Sequence, residues 1–318
     1  MASLLNFGKR KKQTSLFDFK KIKNKVLILR SAGGYGDILN MRMMFEDLKN
    51  SYPDFDFDWA VPHPYYAAAK QHPFVNKIVH STDYDENDYL AVYNCTHSCV
   101  KHEWAKGKEN EKNRADIWAN SIGLELKNHN MWMPDYSTCH PKIIEQLKSV
   151  GWDGIKKLVL FSPRSAISIK NLTYEQCLFI KNLTKEHFLF ILHSAPILDL
   201  INLKIPTITT FKLEECMACT QLTDYVITTD TGHMHCAAGY NKPTVAIFCY
   251  TNGKVICKYY DSVKVVQKHF DENPGYCGPC NNYGTCMIAP QAKIKPCLTD
   301  IKYEMIESAW NFILKKTK

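Results

Sequence analysis

The sequence predicts an α/β protein with parallel sheets, repeated in two halves. Three observations carry this: short apolar runs of strand length alternate with segments of helical periodicity, a glycine-rich turn joins the first run to the first helix, and the pattern restarts near Gly151. At 318 residues and 45% apolar content, the chain is long enough for two ordinary cores.

Val26-Leu27-Ile28-Leu29 reads as a buried first strand, ending in Arg30 and a glycine cluster. From Ile38 to Leu48 the apolar residues Ile38, Leu39, Met41, Met44, Phe45 and Leu48 recur at helical spacing, and Tyr52-Pro53 stops the helix. Phe55 to Val61 is the next strand. Strand, turn, helix and strand make a βαβ unit, which requires parallel pairing. Ile78-Val79 and Leu90 to Tyr93 extend the sheet, and Ala115 to Leu124 adds a helix.

In the second half, Lys157 to Ser162 is a strand, and the turn Pro163 to Lys170 leads into a helix over Thr173 to Leu183. Further strands are expected at Phe188 to His193, Thr207 to Phe211, Tyr225 to Thr229 and Thr244 to Phe248. Ile301 to Leu314 is amphipathic and is expected to pack back across the domain junction. The resulting division is a basic arm (1–24), an N-terminal domain (25–150), a C-terminal domain (151–300) and a final helix (301–318). Open α/β sheets bind ligands beyond the carboxyl ends of their strands, so two such halves are expected to face each other across a cleft.

The net charge of +8 is concentrated at one end. Residues 1–25 hold eight Lys or Arg (Lys9, Arg10, Lys11, Lys12, Lys20, Lys21, Lys23, Lys25) against Asp18 alone, while the remaining chain has 32 bases and 31 acids. Residues 9–25 therefore suit an anionic surface such as phosphorylated headgroups, glycans or nucleic acid, and a solvated tail is the alternative. No stretch approaches the roughly 18 to 20 apolar residues of a spanning helix, and no apolar signal core opens the chain. A cytoplasmic protein is expected, at most peripheral at the inner face of the membrane. In that setting most of the thirteen cysteines should be reduced, nine of them acting as small buried hydrophobes.

Two motifs carry chemistry. Ser31-Ala32-Gly33-Gly34-Tyr35-Gly36-Asp37 lies between strand and helix, where Gly33, Gly34 and Gly36 let backbone amides approach a ligand and Asp37 sits near the helix start. The G-x-G-x-x-G spacing of a dinucleotide loop is absent, and a helix cap is the structural alternative for Asp37. Thr229-Asp230-Thr231-Gly232-His233-Met234-His235 follows a strand and opens a helix. Asp230, the amides of Thr231 and Gly232, and His235 suit sugar hydroxyls and phosphate oxygens at a helix N-terminus.

Gly34-Tyr35-Gly36-Asp37, Tyr52-Pro53, Phe57-Asp58-Trp59, then Asp230-Thr231-Gly232 with His235 and Lys242-Pro243-Thr244-Val245 follow one another in the order seen in family 9 (heptosyltransferase-like) glycosyltransferases. The resemblance spans roughly residues 25–305. It implies the GT-B architecture of two Rossmann-like domains, inversion at the anomeric carbon and no metal cofactor for catalysis. It further implies Asp37 as general base, with the donor held by Lys170, Arg164, Asp230, Thr231, Gly232, His235 and Thr251. Cys249-Tyr250-Thr251 stands where the family tends to carry Gly-Pro-Thr.

The partners implied are a nucleotide-sugar donor and a glycan or lipid-linked glycan acceptor. DNA bearing hydroxylated bases is the alternative acceptor that the basic arm suits, and a non-catalytic sugar-nucleotide-binding protein of the same fold is the alternative class. Cys277-Gly278-Pro279-Cys280, Cys286 and Cys297 match a cysteine pattern of many family members. Their four thiols suit a structural zinc, with packing thiols and disulfides as alternatives.

Overall fold

In the computed structural model, which describes residues 24–193, 197–269, 277–281, 286 and 296–316, the apolar runs form strands of two parallel sheets. The described residues of Met1–Val100 and Arg114–Trp132 make one compact unit, and those of Lys101–Asn113 and Met133–Lys318 make the other. The expected boundary at 150 thus moves forward, because the helix His140–Ser149 packs within the second unit, on Leu213–Leu222. Of residues 9–25 expected to meet an anionic surface, only Asn24 and Lys25 lie among the described residues.

The first unit begins with β1 (Lys25–Leu29), α1 (Tyr35–Met41), α2 (Met44–Ser51), β2 (Asp56–Val61) and α3 (Tyr66–Ala69). It continues through β3 (Lys77–His80), β4 (Ala91–Asn94), α4 (Ser98–Lys106), within which the chain passes to the second unit, and α5 (Arg114–Ser121), where it has returned. Its sheet order is β3-β2-β1-β4, with every pair parallel. Leu27, Leu29, Ala60 and Val79 make one buried cluster on this sheet.

The single helix expected over Ile38 to Leu48 is instead two, broken at Arg42-Met43. The cause is Arg42, which is fully buried. Its guanidinium donates to the carbonyls of Met131 at 2.6 Å, Ala68 at 2.8 Å and Lys70 at 3.0 Å, and also to that of Trp132. Its own carbonyl accepts from His72 Nε2 at 3.0 Å. At the break the backbone closes i to i+3 contacts, Arg42 to Leu39 and Met43 to Asn40, a tightening that often relieves a helix end. Burial and the neighbouring Arg42 charge push the His72 imidazole down to about 3, which keeps it neutral.

The second unit contains α6 (His140–Ser149), β5 (Leu158–Ser162), α7 (Tyr174–Leu183), β6 (Phe188–Leu192), β7 (Thr207–Ile208) and α8 (Leu213–Leu222). There follow β8 (Tyr225–Thr229), α9 (Gly232–Gly239), β9 (Thr244–Ile247), α10 (Gly253–Ile256), β10 (Val263–Val266), α11 (Pro296–Thr299) and α12 (Tyr303–Lys316). The order is β10-β9-β8-β5-β6-β7, again all parallel. Every residue of β5, β8 and β9 is buried, as expected of strands covered on both faces. Thr173 caps α7 in a reciprocal box with Gln176, which is why the helix starts there.

Three expectations shift. The strand foreseen over Thr207 to Phe211 shrinks to Thr207–Ile208, and Phe211 stands exposed. The edge strand β10 was not foreseen, its Val263-Lys264-Val265-Val266 being a short run beside two tyrosines. Finally, α12 packs on β9, β10 and α7, all in its own unit. Its Trp310 ring meets Tyr225 and His187 edge-on at 5.4 and 5.2 Å, and Ile306, Ala309 and Ile313 join the same core. Burying each large apolar side chain there contributes about 1.5 to 3 kcal/mol.

No helix among the described residues is long and apolar enough to cross a membrane. None of the thirteen cysteines, all among the described residues, is joined in a disulfide. Burial raises several of them, Cys95 to about 11 and Cys177 to about 12, as befits thiols used for packing.

Candidate functional site

In each sheet the strand order reverses once. In the first unit the chain runs outward from β1 through β2 to β3, then returns to place β4 on the other side of β1. In the second it runs from β5 through β6 to β7, then returns to place β8 on the other side of β5. Such switch points open a crevice at the carboxyl ends of the two diverging strands, which is where parallel sheets bind ligands. Both motifs singled out in the sequence fall at these places.

At the first switch point, Arg30 follows β1 and Thr96 lies just past β4. Arg30 Nη1 donates to the Thr96 carbonyl at 3.0 Å, and Ser31 N donates to Thr96 Oγ1 at 3.0 Å. Asp37, in the first turn of α1, accepts from Arg30 Nη2 at 2.6 Å on Oδ2 and from Arg114 Nη1 at 3.0 Å on Oδ1. Both carboxylate oxygens are thus used by guanidinium groups, an arrangement that a helix cap would not need. The guanidinium of Arg30 also lies 4.7 Å from the Trp118 ring centre.

The glycines of this loop are not equivalent. Gly33 has φ +109°, and a Cβ placed on it would lie 2.7 Å from Asp37 Oδ2 and closer still to Arg30 Nη2. Its conformation and its space both demand glycine. Gly34, the N-cap of α1, would admit a Cβ with nothing within 4 Å, and Gly36 is buried within α1.

At the second switch point, Asp230 follows β8, Ser162 ends β5, and the 249–251 loop follows β9. Lys170 Nζ donates to Asp230 Oδ2 at 2.6 Å, and Thr251 Oγ1 donates to the same oxygen at 2.5 Å. All three residues are buried, and the Lys170 ammonium lies 5.4 Å from the Tyr250 ring centre. Thr231 is the N-cap of α9 and Gly232 its first residue. Thr231 Oγ1 lies 3.0 Å from Thr228 Oγ1. The Cys249-Tyr250-Thr251 loop takes its shape from Gln267, whose Nε2 donates to the Cys249 carbonyl at 2.8 Å and the Thr251 carbonyl at 2.6 Å.

Two expected donor residues have partners of their own. Arg164 donates to the Leu172 carbonyl at 2.6 Å and forms an ion pair with Asp199. His235 is 3% exposed, and its Nδ1 shares a 2.7 Å hydrogen bond with the Tyr260 hydroxyl. Its neighbour His233 lies instead at the end of β5, with Nδ1 3.2 Å from Ser162 Oγ and Nε2 3.2 Å from Cys216 Sγ. Burial, with His193 nearby, pushes His233 down to about 4, so it is neutral near pH 7.

Sequence reading missed Arg30, Arg114 and His233. Arg30 did carry a signal, a charged residue closing an apolar strand before a glycine loop. Arg114 carried none, since it meets Asp37 across 77 positions of sequence.

Of the cysteines expected to hold zinc, Cys277 has its thiol pushed up by burial and by the nearby thiols of Cys280, Cys286 and Cys297. Cys297 is also hydrogen-bonded to Cys249. Among the described residues no three His, Cys, Asp or Glu side chains are arranged to hold a metal ion. Most of the segment between these cysteines lies outside the described residues.

Comparison with known proteins bears on the second switch point and on the fold. Residues 205–284 match the model of glycosyltransferase family 9 (heptosyltransferase), a segment that contains Asp230, Thr231, Gly232 and Thr251. The chain is 35% identical over 100 residues to a putative lipopolysaccharide heptosyltransferase 4 of Escherichia coli (strain K12). That match takes in 30% of this chain and spans only 28% of the relative's length.

Among solved structures, a glycosyl transferase family 9 protein from Veillonella parvula superposes with a TM-score of 0.69 at 14% identity, covering 92% of this chain and 97% of that one. The E. coli ADP-heptose lps heptosyltransferase II superposes with a TM-score of 0.63 at 12% identity, covering 92% and 99%. At these identities the structural likeness is one of fold, two Rossmann-like parallel sheets of the GT-B kind. The chain therefore resembles the family 9 glycosyltransferases, in sequence over 205–284 and in fold over 92% of its length.

Proposed function

We propose that this protein is a glycosyltransferase that moves a sugar from a nucleoside-diphosphate sugar to an acceptor hydroxyl, inverting the anomeric centre. The observation that carries the proposal is the buried Lys170–Asp230–Thr251 cluster at the second switch point, with Asp230 and Thr251 inside the family 9 segment. An ammonium has three donors, and Lys170 gives one to Asp230. The other two can be offered to phosphate oxygens, beside the positive end of the α9 dipole at Thr231 and Gly232.

The reaction follows from these groups. A nucleoside diphosphate gathers negative charge as its bond to the anomeric carbon breaks, and Lys170 with the α9 amides stabilises that charge without a metal ion. Asp37 takes the proton of the acceptor hydroxyl as its oxygen attacks from the opposite face. An adenine nucleotide is the first donor to try, because the name of one structural neighbour specifies ADP-heptose. Glycan and lipid-linked glycan hydroxyls are the acceptors that this reading favours.

A structural zinc at Cys277, Cys280, Cys286 and Cys297 is part of the proposal. It is supported by the chemistry of four thiols, two of them in a C-x2-C pair. It takes no part in the transfer. Metal analysis of the purified protein tests it: about one equivalent, lost on replacing Cys277 and Cys280 by Ser, is expected, and a metal-free, fully folded protein would contradict it.

The transferase reading is tested by incubating the protein with ADP-, UDP-, GDP- and CMP-linked sugars and measuring nucleotide release, with and without acceptor glycans. Release from one donor class, abolished in Asp37→Asn, is expected. No release from any donor, together with no donor binding, would move the protein to the non-catalytic class.

A further inference from the structure

The two cations hold Asp37 unequally. Arg30 directly follows β1, and its side chain is 5% exposed. Its planar fork ties together three elements of the first unit: the end of β1 to which it belongs, the Thr96 carbonyl beyond β4, and Asp37 Oδ2 in α1. The Trp118 ring lies against it, and its Nε is buried with no hydrogen-bond partner. That lost bond is a cost which the two charge-assisted bonds of the fork offset. Arg114 opens α5, reaches Oδ1 over the longer distance of 3.0 Å, and has a more exposed side chain, 14%. The missing side chain of Gly33 leaves the space in which Arg30 and Asp37 meet.

We infer that Arg30 and Arg114 form an asymmetric clamp, in which Arg30 is a positioning residue fixing Oδ2 and the Arg114 bond to Oδ1 gives way to the incoming hydroxyl. The inference rests on the reading of Asp37 as general base. Each carboxylate oxygen offers about two acceptor sites, so a hydroxyl that approaches Oδ1 shares that oxygen with Arg114 or takes its place. The longer and more exposed bond yields at lower cost. The acceptor proton then passes to Oδ1 and the acceptor oxygen bonds to the anomeric carbon. The electron pair of the broken bond leaves with the diphosphate, while Arg30 keeps the carboxylate aimed throughout.

The test uses the full chain and nucleotide release from the donor class that wild type turns over, ADP-heptose being tried first. Arg30→Lys keeps the charge but loses the fork, and kcat is expected to fall about 100-fold with donor KM unchanged. Arg114→Ala is expected to fall about 10-fold and to recover on addition of millimolar guanidinium, because its side chain is the more exposed of the two. Arg30→Lys turning over like wild type, or Arg114→Ala losing as much as Asp37→Asn without rescue, would overturn the clamp. If Arg30→Lys fails to fold, Arg114→Ala and its rescue decide alone. Wild type that neither binds nor releases nucleotide from any of the four donor classes, with or without acceptor glycans, refutes the transferase reading itself. Wild-type release that Asp37→Asn abolishes and Arg30→Lys leaves intact refutes only the clamp.

Discussion

Asp37 meets two guanidinium groups, whereas Asp230 meets one ammonium and one hydroxyl. Both acids stand at the switch point of a parallel sheet, Asp230 directly after β8 and Asp37 in the first turn of α1. The difference lies in charge and burial. The first cluster carries a surplus of one positive charge, and the Asp37 side chain keeps 17% exposure. The second is neutral, and the side chains of its ion pair keep only 9% and 7%. The same place in the fold is thus fitted once as a partly open acid that can exchange partners, and once as a sealed pair that presets an ammonium for an anion.

That contrast can be broken most sharply at Asp37. Removing the base is expected to lower turnover by about 10^2 to 10^4-fold in Asp37→Asn while leaving donor affinity unchanged, measured by kcat and by donor titration. Equal loss of both would mean that the two clusters do not divide the work as proposed.

The next effect is on stability. Lys170→Ala strands the Asp230 carboxylate in the core, at a cost of about 3 to 5 kcal/mol, and donor binding should weaken with it. Adding Asp230→Asn should restore part of that stability in denaturant unfolding, because no unpaired charge then remains. A double variant no more stable than Lys170→Ala would show that the pair is not coupled as described.

Smaller, but specific to the first loop, is the pair Gly33→Ala and Gly34→Ala. The first should cost at least about 1 kcal/mol from backbone conformation alone, with further loss of turnover from the crowded clamp. The second, facing open space, should change unfolding and turnover little. Equal effects would remove the clamp's claim on Gly33.

The pH dependence of stability follows from two imidazoles that the fold holds neutral. The folded protein holds His72 down at about 3 and His233 at about 4, so below the ordinary value of 6.5 the unfolded chain binds protons that the folded one refuses. Stability is complete above about pH 6.5 and falls as pH drops toward 4, by at most about 1.4 kcal/mol per pH unit for each group. Urea unfolding of His72→Gln across that window should show a shallower slope than wild type. An unchanged slope would place the acid sensitivity elsewhere.

Much of this was legible because the chemistry is local. Asp37 and Asp230 each lie a few residues past a strand, so strand, turn and helix signals sufficed to place them, and Lys170 could be found in a turn entering a helix. What escaped depends on distance or on which way a ring points. Arg114 reaches Asp37 from a different helix, and the helix break at Arg42 is dictated by carbonyls at 68, 70, 131 and 132. The order of residues in Gly232-His233-Met234-His235 does not say which imidazole faces the core. The fold chose His235 for Tyr260 and left His233 beside Ser162. Arg164 looked like a phosphate ligand because nothing local revealed Asp199 as its partner.

The central claim is that Lys170 and Asp230 serve the donor while Asp37 serves the transfer. It is tested most directly by the melting shift that ADP-linked sugars produce in three proteins measured side by side: wild type, Asp37→Asn and Lys170→Ala. A shift in wild type, kept in Asp37→Asn and lost in Lys170→Ala, is the expected result. A shift of the same size in Lys170→Ala, or one abolished in Asp37→Asn, would contradict the claim.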